Sequence, residues 1–162
     1  MSDDDIRGYV QGRLPDDWFI EPVTVEVDRE EVLVRGRVAP PGDGSDGAAE
    51  EGRISRFRED TREARIRVAR ELEQRFGRKV AWAVDCGGTS RTFTALSVPV
   101  MTRLRQPERL VLDTLVAAGV ARSRSDALGW CVRLVGRHAD DWLAELREAM
   151  TTVEQVRERG PQ

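Results

Sequence analysis

The run Arg122-Ser123-Arg124-Ser125 stands between Gly119 and an apolar stretch that opens at Asp126. Guanidinium groups and hydroxyls at this spacing can grip a phosphate, and the same serines can cap a helix. On local pattern alone the cap is favoured, with Ser125 accepting from the helix amides. A second candidate is Cys86 in the segment DCGGTS (Asp85–Ser90). A nucleophilic thiol needs a base, and His138, the one histidine of the chain, lies far off in sequence. The segment also lacks the spacing and lysine of a phosphate loop, so a hairpin turn is the better reading. The pairs Asp16-Asp17 and Asp140-Asp141 fit helix first turns or polar turns, where carboxylates complement the dipole. Cys86 and Cys131 lack a CxxC spacing or a clustered ligand set, so reduced thiols are expected, with no disulfide, metal site or cofactor.

These residues need a scaffold. A chain of 162 residues, 40% of them hydrophobic, can bury one ordinary core or two small ones. Its apolar runs are far shorter than the roughly 20 residues that span a bilayer. The opening MSDDDIRGYV shows no charged-then-apolar leader, and a soluble, cytoplasmic protein without membrane contact is expected. A net charge of −3 argues against a protein that coats nucleic acid. The charge is segregated, however. Residues 1–52 hold five basic and fourteen acidic side chains, residues 53–79 ten and five, and residues 95–125 five and two. A polyanion would meet the last two blocks.

VTVEVDREEVLVRGRV (Val23–Val38) alternates apolar and polar residues about an acidic turn and predicts a hairpin. APPGDGSDGAAEEG (Ala39–Gly52) has no periodicity and predicts a mobile loop. From Arg53 to Phe76, apolar residues at three- and four-residue spacing predict one long helix stopped by Gly77. Its carboxylates stand at i,i+3 and i,i+4 from its arginines, which predicts a self-paired solvated face, with phosphate contact as the second reading. KVAWAV and RTFTALSVPVMTRL (Arg91–Leu104) predict two more strands, the second interrupted near Pro99. QPERLVLDTLVAAG predicts a helix with Pro107 in its first turn; a second helix starts near Asp126, and a last one carries Trp142, Leu146 and Val153 on one stripe. The fold class is α+β: a β-β-α-β-β module over residues 1–94, then residues 95–162.

Residues 98–137, a strand, a helix, the turn ARSRSDA and a second helix, resemble the ribbon-helix-helix family of DNA-binding repressors, most specifically in LDTLVAAGVARSRSDAL (Leu112–Leu128). The resemblance implies an obligate homodimer whose paired strands form a ribbon that enters the major groove of double-stranded DNA. It makes Met101, Arg103 and Arg105 the outward, base-reading set, with Val98, Val100, Thr102 and Leu104 turned toward the helices. Arginine suits bidentate contact with guanine. Arg122, Ser123, Arg124 and Ser125 would contact phosphate at the second helix's N-terminus. Leu104, Leu112, Leu115, Leu128, Trp130 and Trp142 are the implied dimer contacts. The expected function is sequence-specific DNA binding, hence transcriptional regulation, by a protein that is not an enzyme. The acidic N-terminal module would restrain non-specific affinity or bind an effector or protein partner. The alternative is an interaction or structural dimer on the same scaffold without DNA binding. An enzyme using Cys86 ranks third.

Overall fold

The computed structural model describes residues 2–42, 44 and 46–160. The chain divides into two units, Met1–Pro99 and Val100–Gln162. Their elements make a mixed α+β protein with a four-stranded sheet and six helices among the described residues.

The first unit opens on a helix that the sequence reading did not anticipate, α1 (Asp3–Arg13). A reciprocal cap starts it: Ser2 Oγ accepts from Asp5 N, and Ser2 N donates to the Asp5 carboxylate. Ile6 and Val10, four apart, are its buried residues. The predicted hairpin is β1 (Thr24–Val27) and β2 (Glu31–Arg37), antiparallel, with Val25 opposite Val34. Asp28 closes its turn by accepting from the amides of Glu30 and Glu31.

The loop and long helix expected over 39–76 differ from the structure. Asp46 accepts from Ala49 N and starts α2 (Gly47–Asp60), so the last six residues of the expected mobile loop are helical. The mobility expected at positions 43 and 45 lies outside the described residues. The helix read over Arg53–Phe76 is two, because Thr61 divides α2 from α3 (Arg62–Phe76). Thr61 Oγ1 donates back to Phe57 O at 2.6 Å, which competes with the helical ladder. Arg65, 6% exposed, then takes the freed carbonyl of Arg58 at 2.7 Å and Thr61 Oγ1 at 2.9 Å. Burial, with Arg58 and Arg62 close by, pulls its pKa down to about 10.

β3 (Lys79–Cys86) runs parallel to β2, and β4 (Thr89–Thr92) runs antiparallel to β3, giving the order β1-β2-β3-β4. A parallel pair needs a crossover, which α2 and α3 supply. Alternation then sets the core. Val32, Val34, Val80 and Trp82 meet Ile6, Val10, Val68 and Leu72, while Val38, Val84 and Cys86 meet Ile54 and Phe57. Gly36 leaves room for the Phe19 ring, which would stand 2.4 Å from a β-carbon there.

The strand expected over Arg91–Leu104 stops at Thr92, and residues 94–105 carry no helix, turn or strand ladder. β4 is already the sheet edge, and Pro99 has no amide to donate. The first unit is therefore α-β-β-α-α-β-β. In the second unit α4 (Gln106–Ala117), α5 (Arg124–His138) and α6 (Asp140–Arg159) follow. Leu112, Ala121 and Ala127 form its small core, with Leu104, Leu115, Val116, Leu128 and Cys131 half-buried around them.

Candidate nucleic-acid interface

The serine that caps α5 is Ser123, not Ser125: Ser123 Oγ accepts from Asp126 N at 3.1 Å, and Ser125 is an exposed first-turn residue. The first intrahelical bond runs from Ala127 N to Ser123 O, so the amides of Arg124 and Ser125 have no acceptor within the helix. Such amides and the helix dipole suit an anion. A carboxylate already stands nearby. Asp126 accepts from Arg122 N at 3.0 Å, and that bond holds its carboxyl below the usual aspartate range.

Arg124 is engaged within its own unit. Its Nε and Nη2 donate to the two carboxylate oxygens of Asp113 on α4, at 2.7 and 2.8 Å. This bidentate bond lowers the Asp113 pKa and raises that of Arg124. Asp113 was not singled out in the sequence, since nothing marks a partner eleven positions away. Arg109 was also missed; its Nη1 donates to Leu104 O at 2.7 Å and ties the incoming segment to α4. The α4 start is held by Arg105 N donating to Glu108.

Met101, 95% exposed, and the exposed Arg103 and Arg105 lie on the segment that precedes α4. Neither arginine forms an ion pair among the described residues. Of the four residues expected to face the helices, only Leu104 packs on the small core; Val100 is 86% exposed, and Val98 and Thr102 are also exposed. A shallow groove of about 380 Å³ nonetheless brings Met101 together with Arg109, Arg124 and Ser125, floored by Leu112 and Leu128. Of the implied dimer contacts, Leu112 is only 5% exposed within its own chain, so it serves that chain's core. Leu104, Leu115, Leu128 and Trp130 are half-buried, and Trp142 is exposed.

The other candidates resolve simply. The DCGGTS segment is the β3–β4 hairpin with Gly87 and Gly88 as its loop, and Gly87 has φ +55. Only there does the β-carbon matter twice, since one would also meet the Glu50 carboxylate at 1.8 Å. That carboxylate accepts from Thr89 Oγ1 and Gly88 N, which explains a buried glutamate. Cys86 is fully buried, and burial pushes its thiol pKa up, away from the thiolate a nucleophile needs. The α2–α3 arginines are not self-paired as expected. Among the described residues Arg56, Arg58, Arg62, Arg67 and Arg70 form no ion pair. Their expected partners face elsewhere: Glu71 meets Arg13 at 2.9 Å and Glu73 meets Lys79 at 3.0 Å. Arg58 and Arg65 instead lie over the Phe93 ring.

Residues 4–92 match the family described as Rv1265-like protein, N-terminal domain, and residues 105–157 match the Mb1296 C-terminal domain. The chain is 56% identical over 157 residues to the uncharacterized protein Mb1296 of Mycobacterium bovis, covering 94% of this chain and 69% of that protein. The same figures hold for the uncharacterized protein Rv1265 of Mycobacterium tuberculosis. No solved structure matches the chain significantly.

Proposed function

The chain belongs to the Rv1265-like family. We propose that it is a sequence-specific DNA-binding homodimer with a regulatory role in transcription. One observation carries this reading. Residues 94–105 have no ladder of their own, expose Met101, Arg103 and Arg105, and lead directly into a helix-turn-helix pair. A second copy would supply the missing strand, so that two such segments form an antiparallel ribbon able to enter the major groove. Leu110, Val111, Val132 and Val135, all exposed on α4 and α5, add apolar surface for that second copy to cover. In this arrangement Arg103 and Arg105 read base edges, while Arg122, Ser123 and the first amides of α5 meet the backbone phosphates. The acidic first unit restrains non-specific affinity or holds an effector.

The Arg124–Asp113 pair, with Arg122 Nε also 3.6 Å from the Asp126 carboxylate, favours a second reading, a protein-interaction dimer on the same scaffold, because both cations of the turn are engaged within the chain. A fluorescence-anisotropy titration separates the two. Wild type and the Arg103→Ala/Arg105→Ala variant are titrated with a pool of genomic duplex fragments at two salt concentrations. DNA binding predicts salt-dependent association, with roughly 1–3 kcal/mol lost for each base contact removed and the dimer intact. Absence of wild-type binding at low salt would overturn the DNA reading and leave the interaction dimer.

A further inference from the structure

The last helix, α6, spans 20 residues and about 30 Å, yet none of its described side chains is buried. Most of a helix's stability in a protein comes from packing an amphipathic face, which α6 lacks within its own chain. Its apolar residues follow a 4-3-4-3 repeat: Trp142, Leu146, Ala149, Val153 and Val156, with Trp142 59% exposed and Val153 57%. That is the a/d seam of a two-stranded coiled coil.

We propose that α6 pairs with α6 of a second copy, antiparallel and in one register. Facing residues of the core layers in this register have numbers that add to 302, and those of the flanking pair add to 304. Leu146 then meets Val156 of the second copy, Ala149 meets Val153, and Trp142 meets Gly160. Each layer sets a larger side chain against a smaller one, and the indole falls where the other helix ends in a residue without a side chain. Charge selects the direction. At the flanking positions Glu145 meets Arg159 of the second copy twice across the two-fold axis. The acidic first turn, Asp140 and Asp141, also falls at the same end of the pair as the basic last turn, Arg157 and Arg159, of the second copy. A parallel pair sets Glu145 beside Met150 and Thr152 beside Arg157, with no opposite charges in contact. The pairing rests on the dimer half of the proposed function and is independent of DNA.

The test uses the full chain with Cys131 replaced by serine; Cys86, the other thiol, is buried. Ala149→Cys and Val153→Cys variants are made separately and together by co-expression, oxidised, and analysed on non-reducing gels beside light scattering. The antiparallel register predicts a disulfide-linked dimer from co-expressed chains and none from either variant alone. A homodisulfide from Ala149→Cys alone means parallel helices and overturns the proposal. So does a dimer by light scattering without any cross-link, which leaves the DNA-binding reading standing. A monomer overturns both the pairing and the dimer half of that reading. As a second measure, Glu145→Arg should weaken dimerisation roughly tenfold or more, and Glu145→Arg/Arg159→Glu should restore it. Failure of the double variant to recover refutes the register.

Discussion

Asp113→Asn probes the grip at the α4–α5 turn directly. In the wild type the Asp113 carboxylate takes both forks of Arg124, at 2.7 and 2.8 Å, and cancels its charge. An asparagine amide cannot hold both forks, so the guanidinium becomes available to a phosphate beside the free amides of Arg124 and Ser125. Under the proposed DNA-binding dimer, each protomer gains one phosphate contact and the dimer gains two. At a slope of about −0.9 per contact, log affinity against log salt steepens by about 1.8. Over a fourfold change in salt, that is about a twelvefold difference in how far variant and wild-type affinities fall. Anisotropy titrations against one duplex at about 50, 100 and 200 mM salt would read this slope directly. The variant should bind more tightly at the lowest salt, and adding Arg124→Ala should remove the gain. A slope and affinity equal to wild type, with the fold intact by circular dichroism, would refute phosphate contact by Arg124 at the α5 start.

Three further outcomes concern the first unit. Hydrogen bonds from Arg13 and Tyr9 hold the Glu71 carboxyl below the usual glutamate range, so its stabilisation is present above about pH 4.3 and fades as pH falls through the lowered value. Thermal unfolding of wild type and Glu71→Gln should therefore differ at pH 6 and converge in acid; a gap that persists undiminished at pH 2 would contradict the assignment. Arg65→Met strands the carbonyl of Arg58 and should cost roughly 1–3 kcal/mol by denaturant unfolding, whereas an unchanged midpoint would show that the cap contributes nothing. Gly87→Ala combines positive φ with overlap on Glu50 and should cost at least about 1 kcal/mol, part of it recovered when Glu50 is also truncated. Additivity of the two substitutions would rule out the steric contact.

The β1–β2 hairpin was legible because alternation about Asp28 is a local pattern and the turn closes within four residues. The stop at Gly77 and the apolar stripe of α6 were legible for the same reason: caps and periodicity act between near neighbours. Where apolar spacing gave no warning, tertiary contacts decided. Arg65 looked like one more solvated arginine, yet it is buried because the break at Thr61 leaves a carbonyl for it to take. Glu71 looked paired along its own helix, but Arg13 of α1 lies across from it and offers the better geometry. At the candidate interface the serines and arginines of the turn were identifiable by type. Which of them is available was not, since the Asp113–Arg124 pair spans two helices. Sequence by itself thus determined the class, α+β, and the helix pair behind the exposed arginines, through forces that act over a few residues. Tertiary structure alone decided which charges are compensated and which remain free, because electrostatic partners are chosen by distance in space, and folding brings together residues that no spacing along the chain announces.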